Sequence, residues 1–153
     1  MKKIIAIALA LVLVFAAGCG QSGKVAQMDM QAVYDSMIPT MPEMLIMDES
    51  MMLNFCGIKA ENCKQAVVAV CSDGLRADEI WLIEANDATA LKELQTLADG
   101  RLTRKGEESI TYSPEQYEIV QKAQVITAGN YLAVIVSPDV DALADIFNAA
   151  AKG

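Results

Sequence analysis

Two segments of the chain, 52 residues apart, read alike. Residues 80–91 (IWLIEANDATAL) lie over residues 132–143 (LAVIVSPDVDAL). Ile83 and Ile135, Asp87 and Asp139, Ala90 and Ala142, and Leu91 and Leu143 coincide. Each is an apolar, β-prone run, then an aspartate suited to a helix cap, then apolar residues at helical spacing. The likeness reflects either an internal repeat or the residue types that any strand–cap–helix junction favours. Both origins give one architecture: a hairpin followed by a capped helix, twice over.

The elements around these junctions follow from the same patterns. Residues 28–37 place Met30, Val33, Tyr34 and Met37 on one helical face, and Pro39 and Pro42 end that helix. Residues 44–55 read either as a short helix or as an irregular apolar stretch. Gln65–Cys71 and Asp78–Ala85 read as two strands joined over Ser72-Asp73-Gly74. A helix with Leu91, Leu94, Leu97 and Ala98 on one side is weakened at Gly100, and either stops there or runs on to about Lys105. Ser113-Pro114-Glu115-Gln116 starts another, with Gln116 closing a capping box. Val125–Thr127 and Tyr131–Val136 flank Ala128-Gly129-Asn130 as a second hairpin, and a last helix covers 139–151. The expectation is an α+β domain over 28–153. It has a four-stranded, mostly antiparallel sheet built from two hairpins, helices packed on one face, and an N-terminal helix in front.

The N-terminus has a separate character. Met1-Lys2-Lys3 precedes 14 residues, Ile4–Ala17, without a polar side chain. Such a run is short of the roughly 20 residues needed to span a bilayer, but fits the core of a secretory signal. It ends in Ala16-Ala17-Gly18-Cys19, which resembles the lipobox cut by a lipoprotein signal peptidase, with alanine where leucine is more usual. Residues 1–18 are therefore expected to be a lipoprotein signal peptide, Cys19 the lipidated first residue, and 19–27 a flexible tether. The alternatives are an ordinary signal with an incidental cysteine, or an uncleaved anchor. Two or three acyl chains hold a protein firmly, one only marginally. The expected location is the extracytoplasmic face of the cell membrane, with the bilayer as first partner and an envelope protein as a second. Lys2 and Lys3 leave with the signal, taking the net charge from −8 to −10. So acidic a domain has no basic face for nucleic acid.

The same four-element order resembles domain-of-unknown-function family 4358, small bacterial lipoproteins. The resemblance covers about residues 25–150. It rests on Phe55-Cys56-Gly57-Ile58, Ala77-Asp78-Glu79-Ile80, Tyr112-Ser113-Pro114-Glu115 and Gly129-Asn130-Tyr131, in that order after the lipobox. Cys56 departs from the aromatic residue expected after Phe55, and the methionines are unusual. The resemblance implies an envelope lipoprotein domain and no particular chemistry.

Candidate chemistry is sparse. The chain has no histidine, which removes the usual general base and the commonest metal ligand. Eight methionines lie between residues 28 and 52, with Met41, Met44 and Met47 spaced by three. Thioethers are soft ligands for copper(I), and Cys56 could add a thiolate, so copper(I) binding through 28–52 is the alternative function. The main expectation is that these methionines fill apolar positions, and the third reading is a peptide-binding or oxidant-exposed surface, the first candidate contact if the segment is exposed. Cys56, Cys63 and Cys71 are expected as free, mostly buried thiols or with a Cys56–Cys63 bridge. Asp139 and Asp141 read as helix-capping residues, and Arg101, Arg104 and Lys105 as a solvated cluster at a helix end. No catalytic residue, cofactor or metal site is expected. An enzyme of this composition would need two facing carboxylates about 5–9 Å apart. The function expected is a non-catalytic binding or protein-interaction module.

Overall fold

The computed structural model describes residues 24–153; the expected signal peptide and Cys19 lie outside the described residues. Helix α1 (Met30–Met37) opens the fold, capped by Asp29, whose carboxylate accepts from the backbone N–H groups of Gln31 and Ala32. A 3₁₀ turn at Ile38–Thr40 leads to the short strand β1 (Met44–Ile46). Helix α2 (Glu49–Met51), capped by Asp48, runs directly into a π-turn over Met52–Cys56. Gly57 stops that turn at φ +75°, and a Cβ there would also sit 3.0 Å from Leu97. Strands β2 (Cys63–Cys71) and β3 (Glu79–Ala85) form the first hairpin. Helix α3 (Ala88–Tyr112) follows, then α4 (Pro114–Gln121), β4 (Gln124–Ala128), β5 (Tyr131–Val136) and α5 (Val140–Lys152). The β4–β5 turn uses Gly129 at φ +56°.

Among the described residues the sheet has five strands, in the order β1-β2-β3-β5-β4, all antiparallel. This corrects the expected four. The extra strand comes from the irregular stretch after Pro42, where three residues pair with the far end of β2. Helices lie on both faces, not one. Val67, Ala69, Ile80, Leu82, Ala133 and Ile135 point to a core shared with α1 and α5. Val68, Trp81, Ile83, Leu132 and Val134 point the other way, to α3 and the π-turn. The reason is written in β3 and β5. Neither alternates apolar with polar residues along its middle, and an uninterrupted apolar run belongs to a strand buried on both faces. Tyr131–Val136 is buried at every position.

Most helix starts form as their sequences suggest. Asp87 accepts from Thr89 and Ala90 N–H at 2.8 and 2.9 Å. Asp139 does not cap α5; its own N–H donates to buried Ser137 Oγ at 3.1 Å, and Asp141 accepts from Gln124 instead. Helix α3 runs through Gly100 to Tyr112, well past Lys105, because α4 packs along its second half at Gly106. Within the segment expected as a tether, Ala26 N–H donates to Ala151 O, and Val25 packs beside Gly129.

The methionines are divided between the two cores. Met28, Met30 and Met37 are buried with α5, with Met41 and Met44 packed beside them. Met47 and Met52 are buried under α3 with Met51 beside them. The triplet at 41, 44 and 47 therefore faces two different layers. Volume-conserving exchange suits such positions, so Met30→Leu and Met37→Leu should each cost less than about 1.5 kcal/mol in chemical denaturation.

Candidate functional site

Two surfaces stand out. The first is the edge of the sheet at β1. Ser72 N–H donates to Glu43 O, and Met47 N–H donates to Val68 O. Residues 43, 45 and 47 thus aim their backbone groups at β2, and antiparallel alternation turns those of Met44 and Ile46 outward. Among the described residues no strand pairs on that outer side. Leu45 and Ile46 are about half exposed, at 49 and 48%. Ile38, Leu53 and Phe55 of the same segment are exposed as well. Acidic residues flank the strand: Glu43 before it, Asp48 and Glu49 after it.

The second surface lies at the end of the sheet that carries the β2–β3 loop. A groove of about 680 Å³ runs between that loop and the elbow joining α3 to α4. Leu75 and Tyr112, the most exposed of the large hydrophobic side chains described, stand on its walls at 86 and 85%. Gln116 ties the walls together, its Oε1 accepting from Ala77 N–H at 2.7 Å. That is why Gln116 does not close the capping box with Ser113; only Ser113 Oγ acts as a cap, accepting from Gln116 N–H at 3.4 Å.

Behind the groove sits a buried ion cluster. Glu79 is 1% exposed, at the start of β3. Its carboxylate accepts from Arg101 Nε and Nη2 at 3.0 and 2.8 Å, and from Trp81 Nε1 at 2.8 Å. Lys105 Nζ is 3.1 Å away and reaches the groove wall. Arg101 and Lys105, spaced i, i+4 on α3, thus converge on one carboxylate. They do not meet the end of a helix dipole as expected, because α3 continues beyond them. Burial pushes the Glu79 carboxyl up, but the hydrogen bond and charge of Arg101, the charge of Lys105 and the Trp81 indole outweigh it. The net effect holds Glu79 below the ordinary carboxylate range. Next to it, Asp78 is buried and pairs with Arg76 at 3.0 Å. Both buried carboxylates of this corner are therefore committed to cations.

The three cysteines among the described residues are free thiols. Cys56 and Cys71 are buried and Cys63 partly so. Burial, with Glu79 adding to it, pushes the Cys56 thiol up to about 11 against the pull of Arg101, Lys105 and Arg104. Its sulfur lies 4.0 Å from Met47 Sδ. Burial also raises Cys63. Both are protonated at neutral pH and poor nucleophiles. Among the described residues no three His, Cys, Asp or Glu side chains converge to hold a metal ion, and no helix is long and apolar enough to cross a membrane.

Sequence reasoning passed over Glu79 as a strand opening. The available signal was a charged residue beginning an otherwise apolar strand, together with two basic residues one helical turn apart. Three of the four segments that carried the resemblance meet near this corner: Cys56, Asp78-Glu79 and Tyr112-Ser113. No curated protein and no solved structure matches the chain. The family described as Domain of unknown function (DUF4358) matches residues 39–137, leaving α1 and α5 outside the match. That span is well over half of the 153 residues, and the chain belongs to this family.

Proposed function

We propose that the domain is a non-catalytic interaction module, held on the extracytoplasmic face of the membrane by acylated Cys19, and that it adds an extended segment of an envelope protein to its sheet at β1. The observation that carries this reading is the outward backbone of Met44 and Ile46 beside half-exposed apolar side chains. An open edge of this kind gives backbone hydrogen bonds to an incoming strand, and the side chains add selectivity. Glu43, Asp48 and Glu49 suit a partner segment with an apolar middle and Lys or Arg at its ends. The signal-like run and Cys19 support the membrane location, and the acidic charge argues against nucleic acid as the partner.

Proline at position 46 tests this directly. The Ile46 N–H is directed away from β2, so Ile46→Pro removes an outward donor and leaves the β1–β2 bonds in place. The lipidated chain should recover a reproducible partner on affinity capture from its own envelope. Ile46→Pro should lose that partner while its melting temperature stays within a few degrees. Leu45→Pro, which removes a bond to β2, should lower stability as well. Recovery of nothing reproducible, or full retention by Ile46→Pro, sinks the edge reading. Metabolic labelling with palmitate that persists in Cys19→Ser sinks the anchor.

A further inference from the structure

The corner at Glu79 has an imbalance that its own packing does not explain. Two buried carboxylates, Asp78 and Glu79, face three cations, Arg76, Arg101 and Lys105. Arg101 alone gives Glu79 a two-pronged partner, the geometry that best satisfies a carboxylate. Lys105 is then a second cation on an already satisfied group. Its side chain is 12% exposed, and that opening is onto the groove. Confining a second charge here costs desolvation, which one shared carboxylate only partly offsets.

The groove offers what Lys105 lacks. Arg76 lies across the groove on the loop wall, and Leu75 and Tyr112 provide an apolar and an aromatic surface. Glu108 also lines the groove, one turn after Lys105, and makes no ion pair among the described residues. Its volume of about 680 Å³ is within the size of small-ligand sites. We propose that this groove binds a carboxylate attached to an apolar or aromatic body, with the carboxylate on Lys105 beside Arg76 and the body between Leu75 and Tyr112. The bound anion gives Lys105 a counter-ion of its own and leaves Glu79 to Arg101 and Trp81. Such a group is supplied either by a free small acid or by the carboxyl terminus of a peptide. The site lies apart from β1 and does not rest on strand addition.

Trp81 is a built-in reporter, because it is the only tryptophan in the chain and its indole N–H is bonded to Glu79. The full chain in lipid nanodiscs is titrated with 3-phenylpropionate, with 3-phenylpropanol as the uncharged control. A second pair is N-acetyl-alanylphenylalanine with a free or an amidated terminus. At least one of the acids should shift Trp81 emission saturably, and neither the alcohol nor the amide should. Lys105→Gln should weaken the acid at least tenfold. Glu108→Gln, at an exposed position, should tighten it several-fold by removing a like charge. Saturation by the peptide acid alone assigns the source as a chain terminus; saturation by 3-phenylpropionate shows that a free acid suffices. Equal response to acid and uncharged control, no response to either acid, or no effect of Glu108→Gln overturns the proposal. Ile46→Pro should bind the acid as the parent does, so failure here and failure at the β1 edge are separable.

Discussion

Glu79→Gln is expected to destabilise the fold by about 3–5 kcal/mol, because it leaves Arg101 and Lys105 in a largely buried corner without their carboxylate. For a domain of this size that corresponds to a melting temperature lower by roughly 10–20 °C. The loss belongs to the unpaired charges and not to the worth of the cluster as such. The combined change Glu79→Leu, Arg101→Leu and Lys105→Met should therefore be much milder than Glu79→Gln alone, since a buried ion cluster is often replaceable by apolar side chains. A triple variant as unstable as the single one would show that the cluster itself holds β3 to α3. The pH dependence has a definite sign. The folded-state pKa of Glu79 is depressed, so its contribution is fully present above the ordinary carboxylate pKa of 4.5. It is lost as pH falls from there through the lower folded value. Glu79→Gln should flatten that part of the stability profile below pH 4.5, measured by denaturant titration at a series of pH values.

Phe147→Ala is expected to cost about 3–5 kcal/mol, the range for deleting a fully buried aromatic ring. Phe147 fills the layer between α5 and the sheet, among Met30, Met37, Leu82 and Ala133. A loss near 0.5 kcal/mol, the cost of truncating an exposed side chain, would show that Phe147 is not packed between α5 and the sheet. Unfolding should stay a single transition, because β3 and β5 contribute to both layers. A double-mutant cycle with Leu94→Ala, which sits on the opposite face, should be close to additive.

Local chemistry was legible in the sequence, and long-range assembly was not. Asp87 and Ser113 start helices because their side chains act on N–H groups two or three residues on. Such signals are contained in a few residues. The strand pairs 65–71 with 78–85 and 125–127 with 131–136 emerge close to their expected bounds for the same reason. Strand β1 escapes, since three residues after a proline carry no periodicity and exist as a strand only through β2. The second helical layer was written in the unbroken apolar runs of β3 and β5, yet a hairpin reading favours a half-exposed sheet. The methionine spacing at 41, 44 and 47 looked like a constellation because sequence distance hides the crossing from one face of the sheet to the other. The ion cluster joins positions 79, 101 and 105 across a hairpin, a helix and a sheet face, a meeting that no local pattern encodes.

The backbone bond from Ala26 to Ala151 and the seat of Val25 beside Gly129 fix where the chain enters the domain. That entry point is at the sheet end where Ala85 N–H donates to Asn130 O, opposite the β2–β3 loop. Val25 lies six residues after Cys19, a leash of at most about 21 Å. With Cys19 acylated as proposed, one pole of the domain is moored close to the headgroups and cannot roll over freely. Leu75, Tyr112 and Lys105 then form the outward tip, a strand length of roughly 23 Å further from the bilayer. The groove would sample what drifts past the membrane, while the β1 edge, running along the side of the moored domain, would meet neighbours standing beside it.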